Sequence, residues 1–321
     1  MKKVFILFIF FLTLQSNYLK AQQRLQMSQY MLNNFLQNPA FAGANEFAEA
    51  TIAYRNQWVG FTDAPQTFYA SVQGTYKSLF SKSGNNTFIN RRKKSHGGWG
   101  LIVGSDKFGA IAYNSFFISY AYHIRLSKKL FASIGISPGV MNYVLNGDKL
   151  TLPDKSVDNQ TYFQQLSVSK PDINIGTTLY GKIFYVGISS FQLLRNKTYD
   201  AMTSDDNSQR IHYNVSTGFH FKKDDYTFMP SLLIKYVSGA PTTMDVSFRT
   251  GYKNIAWIGV SYRTGDSFIA LFGYNISNSL YAGYSYDYTI SALKNFNSGS
   301  HEIMLGYKFG VPKRSVPRLP D

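Results

Sequence analysis

No cysteine occurs among the 321 residues. Disulfide staples, a thiolate nucleophile and a cysteine-ligated metal are therefore excluded. Charge is scarce too: Asp, Glu, Lys and Arg make up 16% of the chain, against about 25% in an ordinary soluble domain. After the first twenty or so residues no stretch keeps a convincing helical period, and no internal repeat is found. The strand–turn–helix nucleophile elbow is also missing: G-x-S-x-G occurs once, as Gly135–Gly139 ("GISPG"), inside a strand-like stretch with no helix after it. Gly176–Lys182, "GTTLYGK", approaches a phosphate-cradling loop, but Ile183 stands where a metal-holding Ser or Thr is needed and no helix follows. It reads as a strand ending in a Gly-Lys hairpin. The histidines (His96, His123, His212, His220 and His301) give no ligand set. His212 and His220 share a strand face but lie about 27 Å apart at roughly 3.4 Å per residue. No catalytic residue, cofactor or metal is assigned.

What is abundant is aromatic. With 24 Tyr, 26 Phe and 3 Trp, 17% of the chain is aromatic, yet the mean hydropathy is slightly negative. That combination results when apolar and small polar residues alternate. Over Ile111–Ile124 one parity reads Phe116, Ile118, Tyr120, Tyr122, Ile124 and the other Ser115, Phe117, Ser119, Ala121, His123. Over Thr243–Tyr252, Met244, Val246, Phe248 and Tyr252 oppose Asp245, Ser247, Arg249 and Gly251. Period two places one set on each face of a strand.

About fourteen such segments are legible, centred on residues 47–58, 66–77, 98–106, 111–124, 129–140, 172–180, 183–191, 210–222, 226–237, 243–252, 254–263, 267–274, 280–288 and 301–309. Each is about the length of a tilted strand that crosses a bilayer. A soluble sandwich or propeller would carry a charged outer face and an aliphatic inner one. Here the apolar face is Tyr and Phe, while the polar face is Ser, Asn, Gly, Thr and His. Lipid outside and a wet lumen inside account for that pairing, and lipid tolerates no open sheet edge. The expected fold is an all-β, transmembrane, antiparallel up-and-down β-barrel with long extracellular loops.

The ends complete the expected organisation. Met1-Lys2-Lys3 followed by the apolar run Val4–Leu14, with Ala21-Gln22 as the cleavage point, matches a signal peptide over 1–21. Residues 22–45 are expected to be a periplasmic segment leading into the barrel of 46–309, and 310–321 a basic, Pro-rich periplasmic tail. Short connections such as Ser127-Lys128 and Lys253-Asn254 fit periplasmic turns, whereas 141–171, 192–209 and 289–300 fit outer loops. The basic run Arg91, Arg92, Lys93, Lys94 breaks this pattern as a long inner loop, and suits a dock for an acidic periplasmic partner or the cell-wall layer. Nucleic acid does not suit an exported chain.

Ser28–Ala44, "SQYMLNNFLQNPAFAGA", followed by Tyr54–Phe68, "YRNQWVGFTDAPQTF", closely resembles the signature of the PorP/SprF family. Tyr284–Phe309 is similar to that family's final hairpin. The resemblance covers both ends of the chain and implies a non-enzymatic outer-membrane component of the type IX secretion system of Bacteroidetes. It implies secretion or surface attachment of specific cargo, such as gliding adhesins. The implied partners are the cargo's C-terminal domain, a periplasmic peptidoglycan-associated component and outer-membrane lipid. The motif residues carried over are Asn38, Pro39, Ala40, Gly43, Arg55, Asn56, Gln57, Trp58, Gly60 and Pro65, whose role is either structural, closing the barrel against the last strand and plugging the lumen, or partner-binding. Parity places Arg55 and Gln57 toward the lumen and Trp58 toward lipid at the outer rim. The residues alone leave open a passive solute channel, or a surface hydrolase using one Ser-His pair.

Overall fold

The computed structural model describes residues 26–45, 47–76, 95–149, 166–197 and 208–309. The expected signal peptide, the run Arg91–Lys94 and the tail after Phe309 lie outside the described residues. The strands are β1 (Ala48–Asn56), β2 (Gln66–Thr75), β3 (His96–Phe108), β4 (Ile111–Arg125) and β5 (Leu130–Leu145). There follow β6 (Leu166–Gly181), β7 (Phe184–Phe191), β8 (His212–Phe219), β9 (Phe221–Lys223) and β10 (Tyr226–Val237). The last are β11 (Thr243–Tyr252), β12 (Ala256–Arg263), β13 (Ser267–Asn275), β14 (Leu280–Thr289) and β15 (Ser300–Phe309).

Consecutive strands pair antiparallel, and β15 returns to β1 in a register running from Ala48 opposite Phe309 to Asn56 opposite His301. Segments β8 and β9 both pair with β10 and form one barrel position interrupted at His220. The wall is thus a closed barrel of fourteen positions, and no edge is left for lipid to strand. All fourteen segments read from period two are present.

Side-chain direction follows the alternation. Along β4, Phe116, Ile118, Tyr120, Tyr122 and Ile124 are exposed on the outer surface, while Ser119, Ala121 and His123 are buried inside. β5 and β6 differ from expectation. They pair in register from Leu130–Gly181 to Leu145–Leu166, well past residues 140 and 172. Val140, Tyr143, Val144 and Leu145 keep a strand-favouring composition there, so the hairpin outruns the bilayer and shortens the expected loop.

The two ends of the barrel differ. At one end, called the turn end, β4 passes to β5, β6 to β7, and β11 to β12 through two to four residues. At the opposite, loop end lie the connections 57–65, 192–211 and 290–299. The turn end carries both Ala48 and Phe309.

The segment 26–45 departs most from expectation. Far from lying outside the wall at the turn end, it passes through the barrel. Gln26 sits at the loop end, where its side-chain amide donates to Asp266 at 3.2 Å. The chain then descends as two 3-10 turns (Tyr30–Leu32, Pro39–Phe41) flanking a four-residue helix, α1 (Asn34–Gln37). It leaves at the turn end to begin β1. Nearly all its residues are buried, and three apolar clusters join it to the inner wall. Phe35, Phe41 and Ala42 pack with Phe131, Tyr180 and Tyr185. Met27 and Leu36 pack with Tyr69, Tyr281 and Met304, and Tyr30 and Met31 with Leu233, Trp257 and Leu271.

Candidate functional site

Three features of the lumen matter: a charged lock at the loop end, a glycine-floored seat at the turn end, and a cavity between plug and wall. The lock is built where β1, β10, β11, β12, β14 and β15 turn acids and bases inward. Arg55 donates to Asp287 at 2.8 Å and lies 3.5 Å from Glu302. Arg263 bridges Asp245 at 2.7 Å, Asp287 at 3.2 Å and Asp266 at 3.3 Å. Lys235 joins Asp245 at 2.9 Å. The group holds three cations and four carboxylates, each within 3.5 Å of an opposite charge, which recovers part of the desolvation that makes buried charge costly.

The plug is knitted into this network. The Glu302 carboxylate accepts the backbone N–H of Ser28 at 2.8 Å and of Gln29 at 3.0 Å. The Ser28 hydroxyl receives an N–H from Arg55 at 2.8 Å and donates its own proton to Asp287 at 2.6 Å. Arg263 also donates to the Met27 carbonyl at 3.2 Å. Deeper in, the Tyr30 hydroxyl lies 3.1 Å from Ser231 and 3.2 Å from Ser247. The Asn33 side chain donates to Thr51 at 2.5 Å and Ser71 at 2.8 Å.

At the turn end the motif residues Asn38, Pro39, Ala40 and Gly43 form the seat. The Asn38 side chain caps the second 3-10 turn by accepting from Ala40 N–H at 2.9 Å, and Pro39 follows at its first position, where a missing N–H costs nothing. The same side chain donates to the carbonyls of Thr177 at 3.0 Å and Ile188 at 3.2 Å, spanning β6 and β7. The wall gives way beneath it. A Cβ on Gly176 would collide with Asn38 Oδ1, and one on Gly135 would come within 2.5 Å of Ala40 N. Gly43, with φ of 73°, lies against Gly74 and Gly98, and a Cβ on Gly98 would strike the Ala42 carbonyl. His123 closes the seat. Its Nε2–H donates to the Ala42 carbonyl at 2.8 Å, so Nδ1 accepts from the Tyr180 hydroxyl at 2.7 Å.

The remaining motif residues lie at the loop end. Arg55 is buried on the inner side as parity required, and Gln57, one residue past the strand, is buried as well. Asn56 ends β1 between Gln66 and His301. Gln57 N–H donates to the Pro65 carbonyl at 2.9 Å, and Gly60 takes φ of 96° in the exposed turn between them. Trp58 corrects the expectation of a lipid-facing ring. β1 stops at Asn56, Trp58 takes φ of 51°, and parity no longer applies. Its ring lines the cavity instead.

That cavity has a volume of about 440 Å³ and lies between the plug and the inner faces of β2–β8. Met27, Phe35, Leu36 and Pro39 line it from the plug side, and Ile102, Phe117, Met141, Tyr143 and Phe191 from the wall. Gln57, Trp58 and Pro65 close it toward the β1–β2 loop. The motif therefore divides between seat, lock and cavity rim rather than converging on one reactive point. Sequence reasoning missed Ser28, Lys235, Arg263, Asp266 and Glu302. Asp245 and Asp287 stood on polar faces, but the pairing of such scattered charges depends on barrel register.

No curated protein matches the chain. Solved barrels of similar shape include a mutant of the monoaromatic hydrocarbon channel TodX, at 9% identity and a TM-score of 0.49, covering 89% of this chain and 95% of that one. A FadL homologue from Pseudomonas aeruginosa is 9% identical with a TM-score of 0.46, covering 87% and 94%. The translocator domain of the autotransporter NalP from Neisseria meningitidis is 9% identical with a TM-score of 0.42, covering 82% and 88%. The sequence profile of the type IX secretion system membrane proteins PorP/SprF matches residues 19–307. The chain belongs to the PorP/SprF family, as an outer-membrane β-barrel.

Proposed function

We propose that this barrel is a non-enzymatic anchor of the type IX secretion system, exported by its signal peptide, which holds a specific cargo at its loop end and a periplasmic component at its turn end. Short turns face the periplasm in outer-membrane barrels and longer loops face outward, so the loop end is the cell surface. The observation that carries the reading is the plug. Residues 26–45 fill the lumen and bond to its wall from Asp266 at one end to His123 at the other. A lumen so filled suits a binding scaffold better than a passive solute channel, the alternative that composition left open. The cargo is of the surface-adhesin kind, bound through its C-terminal domain, and the periplasmic partner belongs to the peptidoglycan-associated layer. The run Arg91–Lys94 is the proposed inner dock. Deletion of the gene should leave particular type IX cargo inside the cell or shed into the medium. Normal surface display of every such cargo would sink the proposal, and steady conductance of the reconstituted protein would favour the channel.

A further inference from the structure

The cavity beside the plug has a chemistry the rest of the molecule does not share. The chain as a whole is basic, with 33 Lys and Arg against 18 Asp and Glu. Yet the cavity is lined by two carboxylates, Asp106 and Asp172, and by no Lys or Arg. Asp106 accepts a hydrogen bond from Thr67 at 2.6 Å and has no ion-pair partner among the described residues. Gln192 and Gln209 line the same space on the side of the loop after β7. At about 440 Å³ the space falls within the roughly 300–1,000 Å³ of sites that enclose small ligands.

We infer that this cavity binds an apolar polypeptide segment carrying one Lys or Arg, whose cation is received by Asp106. The aromatic and methionine walls would take the neighbouring aliphatic or aromatic side chains, Met being suited to fitting variable shapes. Trp58, whose indole is of the kind that favours a cation, stands at the rim. An anionic segment would lie against Asp106 and Asp172 with no Lys or Arg in the lining to meet it, so the cavity selects by charge as well as by apolar area. The peptide nature of the ligand rests on the proposed role of the loop end in holding a protein partner. The charge preference rests on the lining alone.

The test uses the full chain purified in detergent and titrated calorimetrically with acetyl-Leu-Arg-Phe-amide and its Gln and Glu counterparts. The Arg peptide should bind at least tenfold more tightly than the Glu peptide, with Gln between. Asp106→Asn should bring the Arg and Gln peptides to within about twofold of each other. Ile102→Trp, which fills the cavity from the wall, should abolish binding of all three. Asp172→Asn is a second charge variant should the first fail to fold, and the wild-type peptide series decides alone if both fail. Equal binding of the three peptides, no binding of the Arg peptide, or a preference unchanged in both charge variants would overturn the inference. Cargo display in the deletion strain is a separate readout: its loss without peptide binding refutes the cavity and spares the anchor, and the reverse refutes the anchor and spares the cavity.

Discussion

Glu302 is the point at which the wall grips the start of the plug, and its replacement by Ala gives a defined expectation. The side chain is completely buried and accepts two backbone amides, from Ser28 and Gln29. Each buried donor stripped of its acceptor costs about 1–3 kcal/mol, which places the loss at roughly 2–6 kcal/mol for the pair. The charge lock suffers little beyond that. Removing one of four carboxylates leaves three against the three cations, and Arg55 keeps its 2.8 Å contact with Asp287. The cost therefore falls on the seating of the plug, not on the barrel. At about 1.4 kcal/mol per factor of ten, a loss of ~4 kcal/mol lowers the ratio of seated to released plug roughly a thousandfold. Glu302→Gln keeps one carbonyl acceptor and should fall between. The assays are chymotrypsin cleavage after Tyr30 and Phe35 in the folded protein, and current through single proteins in planar bilayers. Both should rise in the order wild type, Glu302→Gln, Glu302→Ala. A folded Glu302→Ala protein as protected and as silent as wild type would refute the reasoning, since the plug would then be held by something other than these two bonds.

Other expectations are briefer. Gly98→Ala drives a methyl group into the Ala42 carbonyl and should cost about 1–3 kcal/mol as overpacking, lowering the temperature at which the barrel loses its compact electrophoretic mobility. Gly251→Ala, whose Cβ would meet nothing nearer than 3.7 Å, should leave that temperature unchanged. Arg263→Met leaves Asp245 with Lys235 as its one cation among the described residues and should cost about 3–5 kcal/mol by urea unfolding in lipid vesicles; a loss under about 1 kcal/mol would count against the lock. Val260→Lys places a charge on the exposed face at the middle of β12, where about 2–4 kcal/mol is expected for a lipid-facing lysine. A neutral result there would mean that this face does not meet lipid.

The wall was legible in the sequence because its rule is local. Each strand needs only period two, and Phe116 to Ile124 declare their face without reference to any other strand. A lumen-plugging role was among the readings of the motif, but the path of the plug was not legible, because nothing in residues 26–45 repeats. Its 3-10 turns are shorter than any helix that holds itself together in water. They persist because Gly98, Gly135 and Gly176, distant in sequence, leave room, and because Glu302 and Asn38 supply bonds across the lumen. Trp58 shows the limit of the local rule. Alternation holds through Asn56 and ends where the backbone enters a left-handed turn two residues later. The acids and bases of the lock were visible singly, but only the barrel register makes neighbours of Arg55, Asp287 and Arg263.

The plug is continuous with β1, and β1 is one lip of the seam sealed against β15. Seating the plug in a ring already sealed along that seam means threading residues 26–45 in full through the lumen, which is slower than laying the wall around the segment and fastening the last strand of the chain once the contents are in place. Protection of Tyr30 from chymotrypsin should accordingly appear during refolding no later than the heat-resistant form of the barrel, and the opposite order would show that the plug enters after closure.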